Sequence, residues 1–182
     1  PLPEGLGASS DLAGVVADAD LLIAAVPSNG FRSLVVSLRQ SGIARPMVWL
    51  CKGLETGPRT PPHAARAEAG PEQPPAAVLS GPSFAKEVAQ GLPAALTVAS
   101  PDAEFARRVA RQLHDPKLRL YSSTDVVGVE LGGAVKNVIA IAAGIAAGLG
   151  LGANTRAAII TRGLAETIRL GAALGARPET LA

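Results

Sequence analysis

The sequence predicts an α/β fold: an open, mostly parallel, doubly wound sheet, present only in part, over residues 1–124, and the start of an all-α helical domain over residues 125–182. Three observations carry that reading. Short continuous apolar runs alternate with stretches at helical period through the first two thirds of the chain, as in strands buried on both faces and joined by helices. The runs stop at turn-forming residues: Pro27, Lys52-Gly53, Ser80 and Ser100. After Asp125 the strand signals vanish and Ala/Gly-rich helical periodicity takes over.

Leu21 to Val26 (LLIAAV) reads as the first strand, ended by Pro27. Ser28 is the expected cap of a helix whose Phe31, Leu34, Val35 and Leu38 share one face, with Gly42 beyond its end. Pro46 opens a second run, MVWLC, which stops at Lys52-Gly53; Thr60 and Pro61 then offer an N-cap and first position for a short helix over His63 to Ala69, closed by Gly70 and Pro71. Ala76 to Leu79 and Ala94 to Ala99 are the third and fourth runs, with room for one helical turn between them. Ser100-Pro101-Asp102 starts a helix that turns Phe105, Val109 and Leu113 inward and carries acid in its first turn, where the helix dipole favours it. Leu118 to Tyr121 is the expected last strand. One long helix should then run from about Val126 to Gly148. A second should run from an Asn154 cap to about Leu174, stopped by Gly175 and Pro178.

Composition removes several function classes. Hydrophobic residues make up 48% of the 182, with 20 glycines besides, which excludes intrinsic disorder. The 17 basic and 15 acidic residues nearly balance, so no basic stripe points to nucleic acid, and the five aromatics are scattered singly, without a stacking platform for bases. Cys51, His63 and His114 lack metal-ligand spacing, so no metal site is expected, and one lone cysteine fits a reducing, cytoplasmic compartment. The uncharged stretch Asn137 to Thr155 approaches the length of a bilayer span, but seven of its 19 residues are Gly, Asn or Thr and no aromatic belt flanks it. A buried helix, not a membrane span, is expected there.

Ligands of open α/β sheets bind beyond the carboxyl ends of the strands. Pro27-Ser28-Asn29, Lys52-Gly53 and Gly81-Pro82-Ser83 are the residues at those ends. Lysine is scarce, four residues beside thirteen arginines. Lys136 stands in a row of small residues (Gly128, Gly132, Ala140, Gly144, Gly148) where a ligand or another backbone can approach; there an ammonium would be partly desolvated and suited to acid–base work, or would simply snorkel from a packing groove. Gly148 to Gly152 follows a helix and reads as an interhelix loop, not a nucleotide-binding turn. Arg162, Glu166 and Arg169 read as a salt-bridged helix face, Glu130 as a charge near a helix start, and Cys51 as a buried strand residue.

At these residues the chain resembles bacterial NAD(P)-dependent glycerol-3-phosphate dehydrogenases. The stretches that carry the resemblance are VPSNGF (26–31), CKGLE (51–55), LSGPSFAKEVAQGLP (79–93) and VGVELGGAVKNVIAIAAGIAAGLGLGANTRAAIITRGLAE (127–166). It implies a Rossmann domain that binds NAD or NADP, a helical domain that closes over the substrate, and reversible reduction of dihydroxyacetone phosphate to sn-glycerol 3-phosphate for phospholipid synthesis. By motif position Lys136 corresponds to the catalytic lysine and Lys52 to a lysine touching substrate and cofactor. Gly81, Ser83 and Asn137 correspond to substrate-binding positions, and Phe31 and Ala85 to cofactor contacts. A homodimer is compatible with the resemblance.

The sequence departs from that family's pattern at both ends. It shows no G-x-G-x-x-G loop behind a first strand and lacks the later segments that complete phosphate and cofactor binding, so an internal fragment is expected, inactive by itself. Two other readings stay open: another dehydrogenase pairing a Rossmann domain with a helical one, such as a hydroxy-acid dehydrogenase, and a non-catalytic module that kept the scaffold.

Overall fold

The computed structural model describes residues 5–56, 59–70 and 73–182. A five-stranded sheet is built from β1 (Leu22–Ala24), β2 (Met47–Trp49), β3 (Ala76–Ser80), β4 (Ala94–Ala99) and β5 (Leu118–Ser123), adjacent in chain order. β1, β2 and β3 run parallel, β4 reverses against β3, and β5 runs parallel to β4. The sheet is therefore mostly parallel, as expected. The reversal follows from the short link between β3 and β4: α4 (Ala85–Ala89) is a single turn and a half, too short for a right-handed crossover.

Side chains alternate between the two sheet faces and are covered on both. Met47, Trp49, Ala76 and Val78 pack on Phe31, Val35 and Leu38 of α2 (Ser28–Gln40). Val48, Ala77, Leu79 and Val98 pack on Phe105, Ala106 and Val109 of α5 (Ala103–Leu113). Val48, Val98, Ala77 and Val109 are completely buried, as the unbroken apolar runs require. Asp102 caps α5, its Oδ1 accepting from the N–H of Glu104 (2.9 Å) and of Phe105 (3.0 Å). Asp102→Ala is expected to lower stability by about 1 kcal/mol, measured as a shift of the urea midpoint at unchanged slope.

Several helix boundaries differ from expectation. α2 is capped by Pro27, and Ser28 lies inside its first turn with its hydroxyl donating to Leu54 O (3.3 Å). In α3 (Pro62–Glu68) the cap is Pro61 and not Thr60, and Pro62 takes the first position, where a missing N–H costs nothing. The stop assigned to Pro71 lies outside the described residues. α7 (Gly152–Leu174) starts two residues ahead of Asn154, from Leu151, and Gly175 ends it at positive φ. Pro178 does not terminate a helix; it opens α8 (Pro178–Leu181). A further short helix, α1 (Leu12–Val16), is capped by Asp11, whose Oδ1 accepts from Gly14 N–H.

α6 (Val126–Gly148) and α7 form an antiparallel hairpin across the loop Leu149 to Leu151, so the Gly-rich run is an interhelix connection. The early turns of α6 are seated on the body of the fold, Val126 and Val129 on the sheet and Leu131 with Ala176 and Leu181, while farther along Ile139 meets α7 at Gly163 and Ala146 is buried. Val138, Ile141 and Ile145 stand exposed farther along. By length and composition α6 could cross a membrane, and 28% of its most apolar stretch is buried. The small-residue row is used at its start, where a Cβ on Gly128 would meet Thr180 Cγ2 at 2.8 Å; nothing approaches Gly144 or Gly148.

Candidate active site

Parallel pairing of β1, β2 and β3 places their carboxyl ends along one sheet edge, and α6 crosses that edge. The result is a cleft of about 550 Å³ whose polar lining comes from Lys52, Ser80, Thr97, Ser123, Lys136 and Thr180, with Glu179 beside them. Lys52, Gly81 and Lys136, separated by up to 84 residues of chain, thus meet at one site.

Lys52 leaves β2 through Leu50 and Cys51 and donates from Nζ to Gly81 O at 2.9 Å. The loop behind it is fastened to α2: Asn29 Oδ1 accepts from Thr56 N–H and Thr56 Oγ1–H (both 2.9 Å), and Arg32 forms a fork onto Glu55 (2.8–3.0 Å). That fork holds the Glu55 carboxyl below its usual range. Lys52 is exposed as a residue, but partial desolvation of its amine lowers its pKa, and the positive charge of Lys136 lowers it further. Gly53 turns the chain at φ +105° and Gly81 at φ +148°. At Gly81 no side chain fits, because a Cβ would lie 2.8 Å from Ala95 O.

Lys136 is exposed rather than desolvated, and its ammonium lies over the Phe84 ring, 5.1 Å from the centroid. Such a contact orients a cation without neutralising it. The helix reaches this position by close approach: a Cβ on Gly133 would lie 2.5 Å from Ser80 Oγ. Asp125 fixes the far wall, accepting from the N–H of Gly128 and of Arg177 (both 2.9 Å). Burial alone would raise its pKa, but these bonds, that from Thr180 and the Arg177 charge outweigh burial and hold it low.

The remaining predicted residues lie elsewhere. Ser83 is half-buried, and Ala85, opening α4, is exposed; neither lines the cleft. Asn137 is exposed beside Lys136, also outside the lining. Phe31 is 1% exposed and packs against Trp49 with ring centroids 5.7 Å apart, a core position. Cys51 is buried, which pushes its thiol up to about 11 and leaves it unreactive at neutral pH. Arg162 and Arg169 pair with Glu166 at 2.6 and 2.7 Å, as expected of a helix face. Among the described residues no cluster of His, Cys, Asp and Glu could hold a metal.

Sequence reasoning missed Ser80, which lines the cleft, and misread Glu130. Glu130 is no free charge near a helix start. Its carboxylate is buried and accepts from Trp49 Nε1–H at 2.8 Å and His63 N–H at 3.1 Å, and it lies 2.5 Å from His63 Nδ1. A lone carboxylate between Val129 and Leu131 was the available signal, since a buried charge must be paired.

The family described as NAD-dependent glycerol-3-phosphate dehydrogenase N-terminus matches residues 1–106, and its C-terminal counterpart matches residues 125–182. A Nitrosospira multiformis protein named glycerol-3-phosphate dehydrogenase (NAD(P)+) is 57% identical over 180 residues, 99% of this chain and 54% of its own length. The protein of that name from Dechloromonas aromatica is 52% identical over 98% of this chain and 54% of its own. A crystal structure of glycerol-3-phosphate dehydrogenase from Coxiella burnetii superposes with a TM-score of 0.90 at 42% identity, covering all of this chain and 55% of that one. The Plasmodium falciparum enzyme structure gives 0.85 at 31% identity, over 94% and 48%. The chain therefore spans about half the length of the curated relatives it matches.

Proposed function

Because the chain belongs to the NAD-dependent glycerol-3-phosphate dehydrogenase family, we propose that it serves in a soluble, cytoplasmic oxidoreductase that interconverts dihydroxyacetone phosphate and sn-glycerol 3-phosphate. One observation carries the reading beyond family membership: Lys52 and Lys136, brought from different elements, face one cleft at the carboxyl edge of parallel strands. Two ammonium groups around a space of small residues suit a phosphorylated carbonyl compound, one charge available to the phosphate and one to the reacting oxygen.

The same edge fits the anionic cofactor of the family, NAD or NADP, since Gly53 and Gly81 keep it clear of side chains and Lys52 brings a charge to it. The bound cofactor supplies the hydride. Lys136 holds its ammonium where the carbonyl oxygen gains negative charge, stabilises that charge and donates the proton; in the reverse direction it accepts the proton from the hydroxyl. Lys52, held by Gly81 O, binds the anionic part of the substrate and contacts the cofactor. Gly81 leaves room for the substrate, with Ser83 and Asn137 as nearby polar contacts. Ala85, exposed at the start of α4, borders the cofactor in this reading, whereas Phe31 is packed on Trp49 in the core and makes no such contact.

The test is NADH or NADPH oxidation by the full-length protein, extended at both ends, with dihydroxyacetone phosphate as acceptor. Oxidation that depends on this substrate, and fails with a 2-oxo acid, is the expected result. An inert enzyme, or one that prefers the 2-oxo acid, overturns the proposal.

A further inference from the structure

We propose that Glu130 is a positioning residue: by tying α6 to β2 and α3 it sets the spacing of Lys136 from Lys52 across the cleft. The proposal deepens the function proposed above and takes only the roles of the two lysines from it; the tie itself is geometric. The Glu130 side chain is 6% exposed. A carboxylate so deeply buried persists in a fold only when its hydrogen bonds are made, and here they come from two elements on the sheet side of the cleft, Trp49 on β2 and His63 on α3.

The two lysines lie on the same two segments as the tie. Trp49 ends β2 three residues before Lys52, and Glu130 precedes Lys136 by six residues, about 9 Å along the helix axis. Midway between them Gly133 sits against Ser80 Oγ, close enough that a Cβ would overlap the hydroxyl. Gly133 alone would let α6 pivot. Glu130 supplies the second fixed point and sets the direction in which the helix leaves the sheet.

Such a tie has a force to oppose. The Lys136 charge bears on Lys52, whose pKa is lowered by partial desolvation of the amine and by that charge, so repulsion pushes α6 away from the sheet edge. Among the described residues, the other titratable group lining the cleft is Glu179 of α8, and Asp125 stands behind its far wall, bonded to Gly128 and Arg177. Losing the tie lets Lys136 recede and Lys52 return toward ordinary lysine behaviour. Glutamine at position 130 keeps the tie, because its oxygen accepts from Trp49 and the His63 N–H while its amide donates to a neutral His63 Nδ1.

The experiment is site-resolved amine acetylation of the 182-residue chain across pH, with Lys52 followed by mass spectrometry in wild type, E130Q and E130A. Trp49 is the one tryptophan in the sequence, so its emission reports on the tie in the same samples. Wild type and E130Q are expected to share a Lys52 midpoint below that of free lysine and a common emission maximum; E130A should shift the midpoint upward and the emission to the red. A folded E130A with the wild-type midpoint overturns the proposal. Should E130A not fold, Trp49→Phe leaves the carboxylate its two His63 partners and decides the matter: an upward shift supports the tie, and an unchanged midpoint sinks it. Labelling needs no turnover, so an inert full-length enzyme would remove the proposed function and leave this result standing.

Discussion

Replacing Lys136 with alanine in the full-length protein is expected to lower kcat for dihydroxyacetone phosphate reduction by about three orders of magnitude, the combined scale of a lost proton donor and a lost oxyanion partner. Stability should hardly move. Lys136 is exposed, and its ammonium rests over the face of an exposed Phe84 ring, so the variant removes chemistry without opening a cavity. In the proposed reaction, hydride reaching the carbonyl carbon leaves a pair of electrons on oxygen, and the Lys136 ammonium on the helical side of the cleft would meet it. Lys136→Arg separates the two roles. A guanidinium keeps the positive charge but gives up a proton far less readily, so the arginine variant should keep substrate binding and recover only part of kcat. Steady-state kinetics beside thermal melts check both. A near-normal kcat in the alanine variant would make Lys136 a binding residue, and the proton would have to come from elsewhere.

How far the sequence could be read depended on the range of the interaction involved. β2, β3 and β4 were legible because buried strands need unbroken apolar runs, and Val48, Val78 and Val98 are indeed almost fully buried. That Lys52, Gly81 and Lys136 would come to one cleft was legible because the end of each parallel strand, and the one cation on an apolar helix, are decided locally. The helix starts slipped by a residue or two because proline competes with serine and threonine for the cap: Pro27 and Pro61 hold extended backbone before α2 and α3, and Ser28 spends its hydroxyl on Leu54 O. α1, α4 and α8 are too short to show a period. Glu130 and Ser80 were out of reach for a different reason. Glu130 finds its partners 81 and 67 residues away, and Ser80 meets Gly133 only after α6 has folded back over the sheet. No local window contains either pair.

Gly81→Ala is expected to destabilise the chain by about 3 kcal/mol or more, from two sources of about 1–3 kcal/mol each: a side chain forced into a conformation that L residues rarely adopt, and overpacking against neighbours. At φ +148° the new methyl would sit 2.8 Å from Ala95 O and 3.0 Å from Leu96 Cα. These are backbone atoms of β4, which is hydrogen-bonded to β3 on one side and β5 on the other, so no rotamer change relieves the overlap. Relief has to come from moving residue 81 itself. Its carbonyl receives the Lys52 ammonium at 2.9 Å, so the movement that relieves strain also withdraws the acceptor that fixes Lys52. Stability and substrate binding should therefore fall together in Gly81→Ala, whereas Lys136→Ala separates activity from stability. Gly53→Ala is the matched control. It too places a side chain at positive φ, but its nearest neighbour is Ser28 Oγ at 3.9 Å, so it carries the conformational cost without the overlap and should lose the smaller amount. Urea unfolding of the three proteins distinguishes these contributions. Equal midpoints for Gly81→Ala and Gly53→Ala would mean that β4 yields to the methyl and that close backbone approach is not what the cleft requires at Gly81.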